Sequence, residues 1–595
     1  MSVAPWVVGS GESTRFPVWT RANVGEVFPD PVGPLSFRLM MWEGAELGWR
    51  DAWEKIGAFD HDEFNPEDFE VIGIFGGYCY LNASVWRVFG ERTPGLSADM
   101  IDGLFFGNQP GIPPYELMDG DVSERHSGQI AESLGWVFST ERLDEIDADK
   151  AWVDDLQARR PDFSAMTNDE LWAYTKRLML DGDDGVHTFR YFFKQHLWIT
   201  MLSSVPPGAL EQVCAAVGRP DAVLKLQAGL GDVESAAPSY AMWRLGRLIR
   251  GSESLTAAFD AGVPGVLERI HGAAEAGDAS SAAFENEWEA LIAEFGARGP
   301  NEWEMRIDTW ETKPELALAA IERMRLASDD GDPTLANAAR AAEREQVRDE
   351  IAAMLAGDPA TQGLFLAACR AAVLFNQGRE RTKTNAIRLI HEGARLPLMT
   401  LAQRLVEDGH LVEANDFGLL QVTEFDDMVA NPASARPLVL ERRTLFDTYS
   451  GLQETFVFAR TQPPPDTWPE RGAAPVEVAK AGDVLFGVPG CPGVVRGRAR
   501  VITSSLDPTA LEPGDILVAP STDPSWTPLF VPAAGVVVNV GAPQSHAMIV
   551  SRELGIPCIP SVTDATRRIP DGALVEVDGG AGTVTILELA ALPTA

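Results

Sequence analysis

The chain is poor in the residues and runs that mark several large functional classes. Its 595 residues hold five cysteines, Cys79, Cys214, Cys369, Cys491 and Cys558, scattered and without a CxxC pair. That pattern argues against a disulfide framework or a cysteine-based zinc site, and a reducing cytoplasm is the expected compartment. No run of about 18 apolar residues occurs, so no membrane-spanning helix is expected. The opening MSVAPWVVGSGESTRF lacks a basic region ahead of a long apolar stretch, so no signal peptide is evident. Positive charge is scarce too: 49 Lys and Arg stand against 87 Asp and Glu, a net charge of −38. Such a surface repels phosphate backbones and anionic lipid, which argues against nucleic-acid and membrane partners. A GxxxxGK[ST] phosphate loop is also missing. What the chain does have is length for several domains and 45% hydrophobic residues to fill their cores.

The most informative stretch is 536–557, VVVNVGAPQSHAMIVSRELGIP. The β-branched run Val536–Val540 predicts a buried strand, broken by Gly541, Ala542 and Pro543. Ser545 is placed to cap a short helix that Gly555 and Pro557 close. His546 then falls in the first turn of that helix, where unpaired backbone N–H groups and the positive end of the helix dipole would stabilise a phosphate. A histidine so placed either carries a phosphoryl group or caps and packs.

This segment resembles the mobile phosphohistidine domain of the PEP-utilising enzymes, with its Gly-rich turn, Ser-His, small-residue helix and Arg-Glu-Leu-Gly-Ile-Pro. The likeness extends through GVPGCPGVVRGRARVI (487–502), LEPGDILVAPSTDPSWTPLF (511–530) and DATRRIPDGALVEVDGGAGTV (564–584). Two positions depart from the family pattern: Gly541-Ala542 stands where Gly-Gly is usual, and Gln544 precedes Ser545 where Thr or Leu is common. Upstream, RANVGEVFPDPVGPLSF (21–37) carries Pro29, Pro31 and Pro34 too close for a helix interior, which predicts an extended segment. It also resembles the opening of the substrate domain in rifampicin phosphotransferase-like and PEP-synthase-like proteins. FGGYCYLN (75–82) resembles the next block of that family and predicts a short strand.

Residues 165–460 are expected to be mainly helical. NDELWAYTKRLMLDG, SSAAFENEWEALIAEFG, NAARAAEREQVRDEIAAMLAG and LPLMTLAQRLVEDGH place apolar residues three and four apart, with Gly near the stop. The block EFGARGPNEWEMRIDTWETKP (294–314) breaks this pattern and gathers Arg298, Glu302, Glu304, Arg306 and Asp308, either as a loop of solvated charges or, as the resemblance implies, as part of the substrate site. In QGRERTKTNAIRLIHEGARLPLMTLAQRLVEDG (377–409), Arg379 and Lys383 lie one helical turn apart and share a face. Arg388 and Arg395 are expected to add charge nearby, and His391 is a candidate base or a structural residue. The pair is either a phosphate pocket or a salt-bridged face; the resemblance to rifampicin phosphotransferases implies the pocket, facing the phosphohistidine. Five prolines in 461–482 predict a polyproline II spacer of roughly 60 Å, at about 3.1 Å per residue.

The expected architecture is multidomain. A substrate domain over 1–460 is mixed over 1–160 and mainly helical over 165–460. A swivel linker follows over 461–482, and a small α/β phosphohistidine domain over 483–590. Nothing of ATP-grasp length precedes Asn23, so the resemblance implies a separate ATP-grasp subunit that uses ATP and Mg²⁺ to charge His546, as in the large subunit of phenylphosphate synthase, which the chain is similar to. The implied activity is phosphoryl transfer to the hydroxyl of a small organic acceptor, phenol-like or an apolar alcohol. His546, Arg379 and Lys383 would be catalytic, and Arg388, Arg298, Glu304 and Ser545 would bind substrate or phosphate. The alternatives are a ligase-like synthetase working through a phosphorylated intermediate, or a non-catalytic phosphocarrier or ligand-binding protein.

Overall fold

A computed structural model describes residues 13–106, 111–231, 233–473, 475–504, 511–541 and 545–590. The chain divides into two compact units, one of Met1–Ala209, Trp303–Ile307 and Ala367–Pro475, the other of Leu210–Glu302, Asp308–Leu366 and Val476–Ala595. Residues 210–302 and 308–366, expected within the 1–460 substrate domain, therefore group with the C-terminal segment.

In the first unit, four strands make an antiparallel sheet: β1 (Val18–Thr20), β2 (Ile72–Phe75), β3 (Tyr78–Asn82) and β4 (Val457–Ala459), in the order β2-β3-β1-β4. The β2–β3 hairpin turns on Gly76 and Gly77, at φ 58° and 82°, the left-handed pair that a two-residue turn needs and only glycine takes freely. Helices Leu47–Ile56, Glu124–Ser139, Asp144–Ala158 and Phe189–Ser203 pack with the later part of the helix Pro359–Ile390 around Trp53, Ile130, Ile146, Leu197, Ile199 and Phe375. Gly378 leaves no room for a Cβ against Leu143, which lets the last of these helices come close to its neighbours one residue before Arg379. That helix continues as a π-helical turn, His391–Arg395, before the helix Leu396–Glu407. Pro397 in the first turn cannot donate a backbone N–H, and the widened turn absorbs the mismatch.

Two expectations are corrected in this unit. The 21–37 segment is not extended throughout: Val24–Val27 and Pro34–Ser36 are short helices, with Pro34 at the helix start where its missing N–H costs nothing. Nor are residues 461–473 of the expected spacer extended throughout. A 3₁₀ turn at Pro465–Thr467 folds them back, Trp468 is buried with its Nε1 donating to Pro463 O at 2.9 Å, and Gln462 donates to the Tyr80 hydroxyl at 3.0 Å. An aromatic that can bury its ring and satisfy its N–H overrides the stiffness of the prolines.

The second unit combines a helical part with a seven-stranded sheet. Helices Ala237–Arg250, Glu253–Asp260, Val266–Glu275, Ala279–Phe295 and Glu315–Leu326 enclose Met242, Trp243, Phe259, Ile270, Phe284 and Ile321. The sheet runs β5-β11-β10-β6-β7-β8-β9, where β5 is Val484–Phe486, β6 Val494–Val501, β7 Ile516–Ala519, β8 Gly535–Val538, β9 Cys558–Ile559, β10 Leu574–Asp578 and β11 Thr583–Glu588. Strands β6 to β9 are parallel and the others antiparallel. The alternation on β7 and β8 is plain: Leu517, Ala519, Val536 and Val538 face one core, while Ile516, Val518 and Val537 face the other. Burial on both faces is why these strands read as unbroken apolar runs.

Candidate functional site

Strand β8 feeds the helix His546–Leu554, closed by Gly555 at φ 71°. His546 is its first residue, at the carboxyl end of the parallel strands, where α/β sheets place their ligands. The segment after the neighbouring β7 supplies two threonines to the same ring, Thr522 from its loop and Thr527 from the first residue of the short helix Thr527–Phe530. Thr522 Oγ1 lies 3.0 Å from His546 Nδ1 and Thr527 Oγ1 3.0 Å from Nε2, while Phe530 meets the ring edge-on at 5.9 Å. The imidazole is half-buried and held at both nitrogens. Ser545 occupies the cap position but makes no capping hydrogen bond. Its hydroxyl is buried without a hydrogen-bond partner among the described residues, close to where a Cβ on Gly541 would lie (3.1 Å). The departures at Ala542 and Gln544, and Pro543 between them, fall outside the described residues.

Two carboxylates tie this region to the helical part of the same unit. Asp523, between the two threonines in sequence, accepts from Asn301 N at 3.1 Å and from Ser525 N at 2.8 Å, and burial raises its pKa. Glu553, near the end of the histidine's helix, is 1% exposed and accepts from Leu230 N (3.0 Å), Gly231 N (3.3 Å) and Asn337 Nδ2 (2.8 Å). Burial raises its pKa, and those donors oppose the shift. Arg298 faces Glu302 at 3.0 Å, both side chains nearly inaccessible, which makes the expected substrate-binding arginine one half of a buried ion pair.

In the first unit, Arg379 and Lys383 share a face of the helix Pro359–Ile390 with Thr382. Across from them, on Phe189–Ser203, His196 places Nδ1 3.3 Å from Thr382 Oγ1 and its ring 5.6 Å from that of Trp303, which Phe193 backs at 5.3 Å. Burial, with the charges of Lys383 and Arg379, pushes the pKa of His196 down to about 3. The imidazole thus lies within the field of both cations, with Trp303 beside it and Phe193 behind Trp303.

Other expected members of this site are elsewhere. Arg388 is nine residues, or half a revolution, beyond Arg379; it reaches Asp154 and Gln157, each at 2.5 Å, on the helix Asp144–Ala158. Glu304 accepts from Gly33 N at 3.0 Å and the Ser36 hydroxyl at 2.6 Å, so its carboxylate anchors both ends of the short helix Pro34–Ser36. Arg395, fully buried, donates to the carbonyls of Glu304 and Met305, and His391 is buried in the π-helical turn. These roles were hidden because a charged residue in a broken helical pattern reads the same whether it binds a ligand or a backbone. Sequence alone does not single out His196, Thr522, Thr527, Asp523 or Glu553, although the last four lie within the stretches that resemble the mobile domain. His196 lies in an aromatic helix with no local signal.

Asp60, Glu63 and His126 approach within ligating distance of one another, but Arg92 grips Glu63 at 2.6 and 2.9 Å and Arg125 pairs with Asp60. No helix among the described residues is long and apolar enough to cross a membrane.

Two family descriptions match the chain: the rifampicin phosphotransferase fourth domain over residues 195–380, and the PEP-utilising enzyme mobile domain over 511–582. Among curated proteins, an uncharacterized protein of Mycobacterium tuberculosis is 34% identical over 308 residues, 51% of this chain and 32% of its own length. A rifampicin phosphotransferase of Streptomyces sviceus is 39% identical over 194 residues, 32% of this chain and 21% of its own. The prodigiosin synthesizing transferase PigC of Serratia marcescens is 32% identical over 317 residues, 52% of this chain and 34% of its own. The matched region thus spans about a third or less of each relative's length.

Proposed function

Because the chain is a PEP-utilising enzyme family member that resembles rifampicin phosphotransferase, we propose that His546 accepts a phosphoryl group from a separate ATP-grasp subunit and passes it to the hydroxyl of a small organic acceptor. The observation that carries this reading is the placement of His546: first in a helix, at the carboxyl end of a parallel sheet, with Thr522 and Thr527 on its two ring nitrogens. A nitrogen can act as nucleophile only with its lone pair available, so one threonine holds the ring while the other gives way to phosphorus. The helix N-terminus and the released hydroxyl then stabilise the phosphoryl oxygens. ATP and Mg²⁺ belong to the partner's half of the cycle.

Arg379 and Lys383 receive the phosphoryl group in the delivery half. Their charges offset the negative charge on the transferring oxygens, which is most of what a protein contributes to phosphoryl transfer. Trp303, beside His196 and backed by Phe193, suits a phenol-like or apolar alcohol acceptor. A second reading treats the phosphorylated acceptor as an intermediate that is then joined to another substrate; the likeness to a transferase of prodigiosin synthesis favours it.

The test is isolation of the assembly at native abundance, with mass spectrometry of the intact particle and of acid-labile phosphate on the His546 peptide. A co-purifying ATP-grasp subunit and phosphorylated His546 are expected. A chain that stays unphosphorylated with ATP and candidate partners supplied would defeat the proposal.

A further inference from the structure

We propose that His196 is the general base that takes the acceptor's hydroxyl proton, through Nε2, as the acceptor oxygen attacks the phosphoryl group; this rests on the carrier reading above. The geometry assigns the tautomer. The Thr382 hydroxyl donates its hydrogen to Arg379 O at 2.9 Å, as a helical threonine commonly does to the preceding turn. Its oxygen is therefore left as an acceptor toward His196, so the contact at 3.3 Å is Nδ1–H donating to Thr382 Oγ1. Nε2 then carries the lone pair, and among the described residues it has no hydrogen-bond partner. A half-buried imidazole fixed in one tautomer, with its basic nitrogen unused beside two cations, has the chemistry of a base awaiting a substrate.

The acceptor O–H bond breaks, its proton goes to Nε2, and the oxygen forms a bond to phosphorus. The P–N bond to His546 breaks and its electron pair returns to that imidazole. Arg379 and Lys383 are the cations whose charges act on the His196 ring and would offset those of the phosphoryl oxygens; the buried Glu380 pairs with Arg379 at 3.4 Å, and the ring of Trp303 lies 5.6 Å from the imidazole. Burial, and after it the same two cations, lower the pKa of His196 and so favour the neutral ring before the phosphoryl group arrives. Arrival of that dianion offsets their field, so His196 becomes more basic when there is a proton to take. Substitution of another residue type at position 196 removes this coupling; a histidine that only fills space would show none of it.

Two measurements test the assignment on the full chain. In the first, histidine ring nitrogens are followed by NMR, with His196 assigned from His196→Gln. The expected result is a neutral Nδ1–H tautomer at pH 6, and a protonation midpoint that moves upward with inorganic phosphate but not in Arg379→Ala/Lys383→Ala. A ring charged at pH 6, the opposite tautomer, or a midpoint indifferent to phosphate overturns the proposal. In the second, His546 is phosphorylated with phosphoramidate and the chain is chased with phenol as the probe acceptor, with rates expressed per labelled chain. His196→Gln should slow delivery by about 100-fold or more, and delivery at the wild-type rate overturns the base. If the wild-type chain delivers nothing to phenol, the acceptor reading fails, and the NMR result still decides for or against His196.

Discussion

His546 and His196 are both histidines beside threonine hydroxyls, and the difference between them separates the two halves of the proposed reaction. His546 stands at a helix start above parallel strands, with a hydroxyl on each nitrogen. His196 lies within a long helix, with one nitrogen bonded and the other without a partner among the described residues, in the field of Lys383 and Arg379. A group that must form and break a covalent bond benefits from an anion-stabilising helix end and from donors that can exchange the ring for phosphoryl oxygens. A group that only moves a proton needs a fixed tautomer and a field that can change. The same side chain is thus suited to two tasks by what surrounds it.

The sharpest way to break this comparison is His546→Ala. Incorporation of acid-labile phosphate should fall to background while thermal melting stays close to wild type, because the side chain is half-buried at a helix start and supports no large core. Retained labelling would move the carrier role to another residue and remove the distinction altogether. Next in size is Lys383→Ala. Delivery from labelled chain to acceptor should drop by about 100-fold with the loss of a charge aimed at the transferring oxygens. If the variant instead fails to take up label, Lys383 belongs with the charging step.

How much of this was legible in the sequence follows the same division. The region of His546 could be read because strand, turn and helix are contiguous and each has a local cause: β-branched residues for β8, Gly555 for the helix end. The helices of 165–460 were legible for the same reason, as Ala279–Phe295 and Leu396–Glu407 show. The site around Lys383 was half-legible. One helical turn relates it to Arg379, but His196 and Trp303 arrive from parts of the chain 187 and 80 residues away, and no local pattern announces them. The same limit hid Glu553, whose donors come from residues 230, 231 and 337.

Glu553 offers a smaller but informative test. Its buried carboxylate accepts from two backbone N–H groups and from Asn337, so Glu553→Ala removes three hydrogen bonds, a loss of about 3 kcal/mol. Urea unfolding should show that loss, and hydrogen exchange should show faster exchange at the amides of Leu230 and Gly231. Unchanged protection there would mean that water or a neighbouring group replaces the carboxylate at little cost.

Arg388→Ala should have the smallest effect and is the cleanest control on the geometry. Arg388 and Arg379 lie on one helix and would count alike in any tally of positive charge, but half a revolution separates them. Arg388 holds Asp154 and Gln157, and the pull of its guanidinium keeps the Asp154 carboxyl below its usual pKa despite partial burial. Because Asp154 is nearly half exposed, the lost pair should cost no more than about 1 kcal/mol. Phosphoryl delivery should be unchanged, as measured by single-turnover transfer from labelled chain. A drop comparable to that of Lys383→Ala would place the phosphate on the wrong face of the helix and undo the contrast between the charge that serves the reaction and the charge that serves the fold.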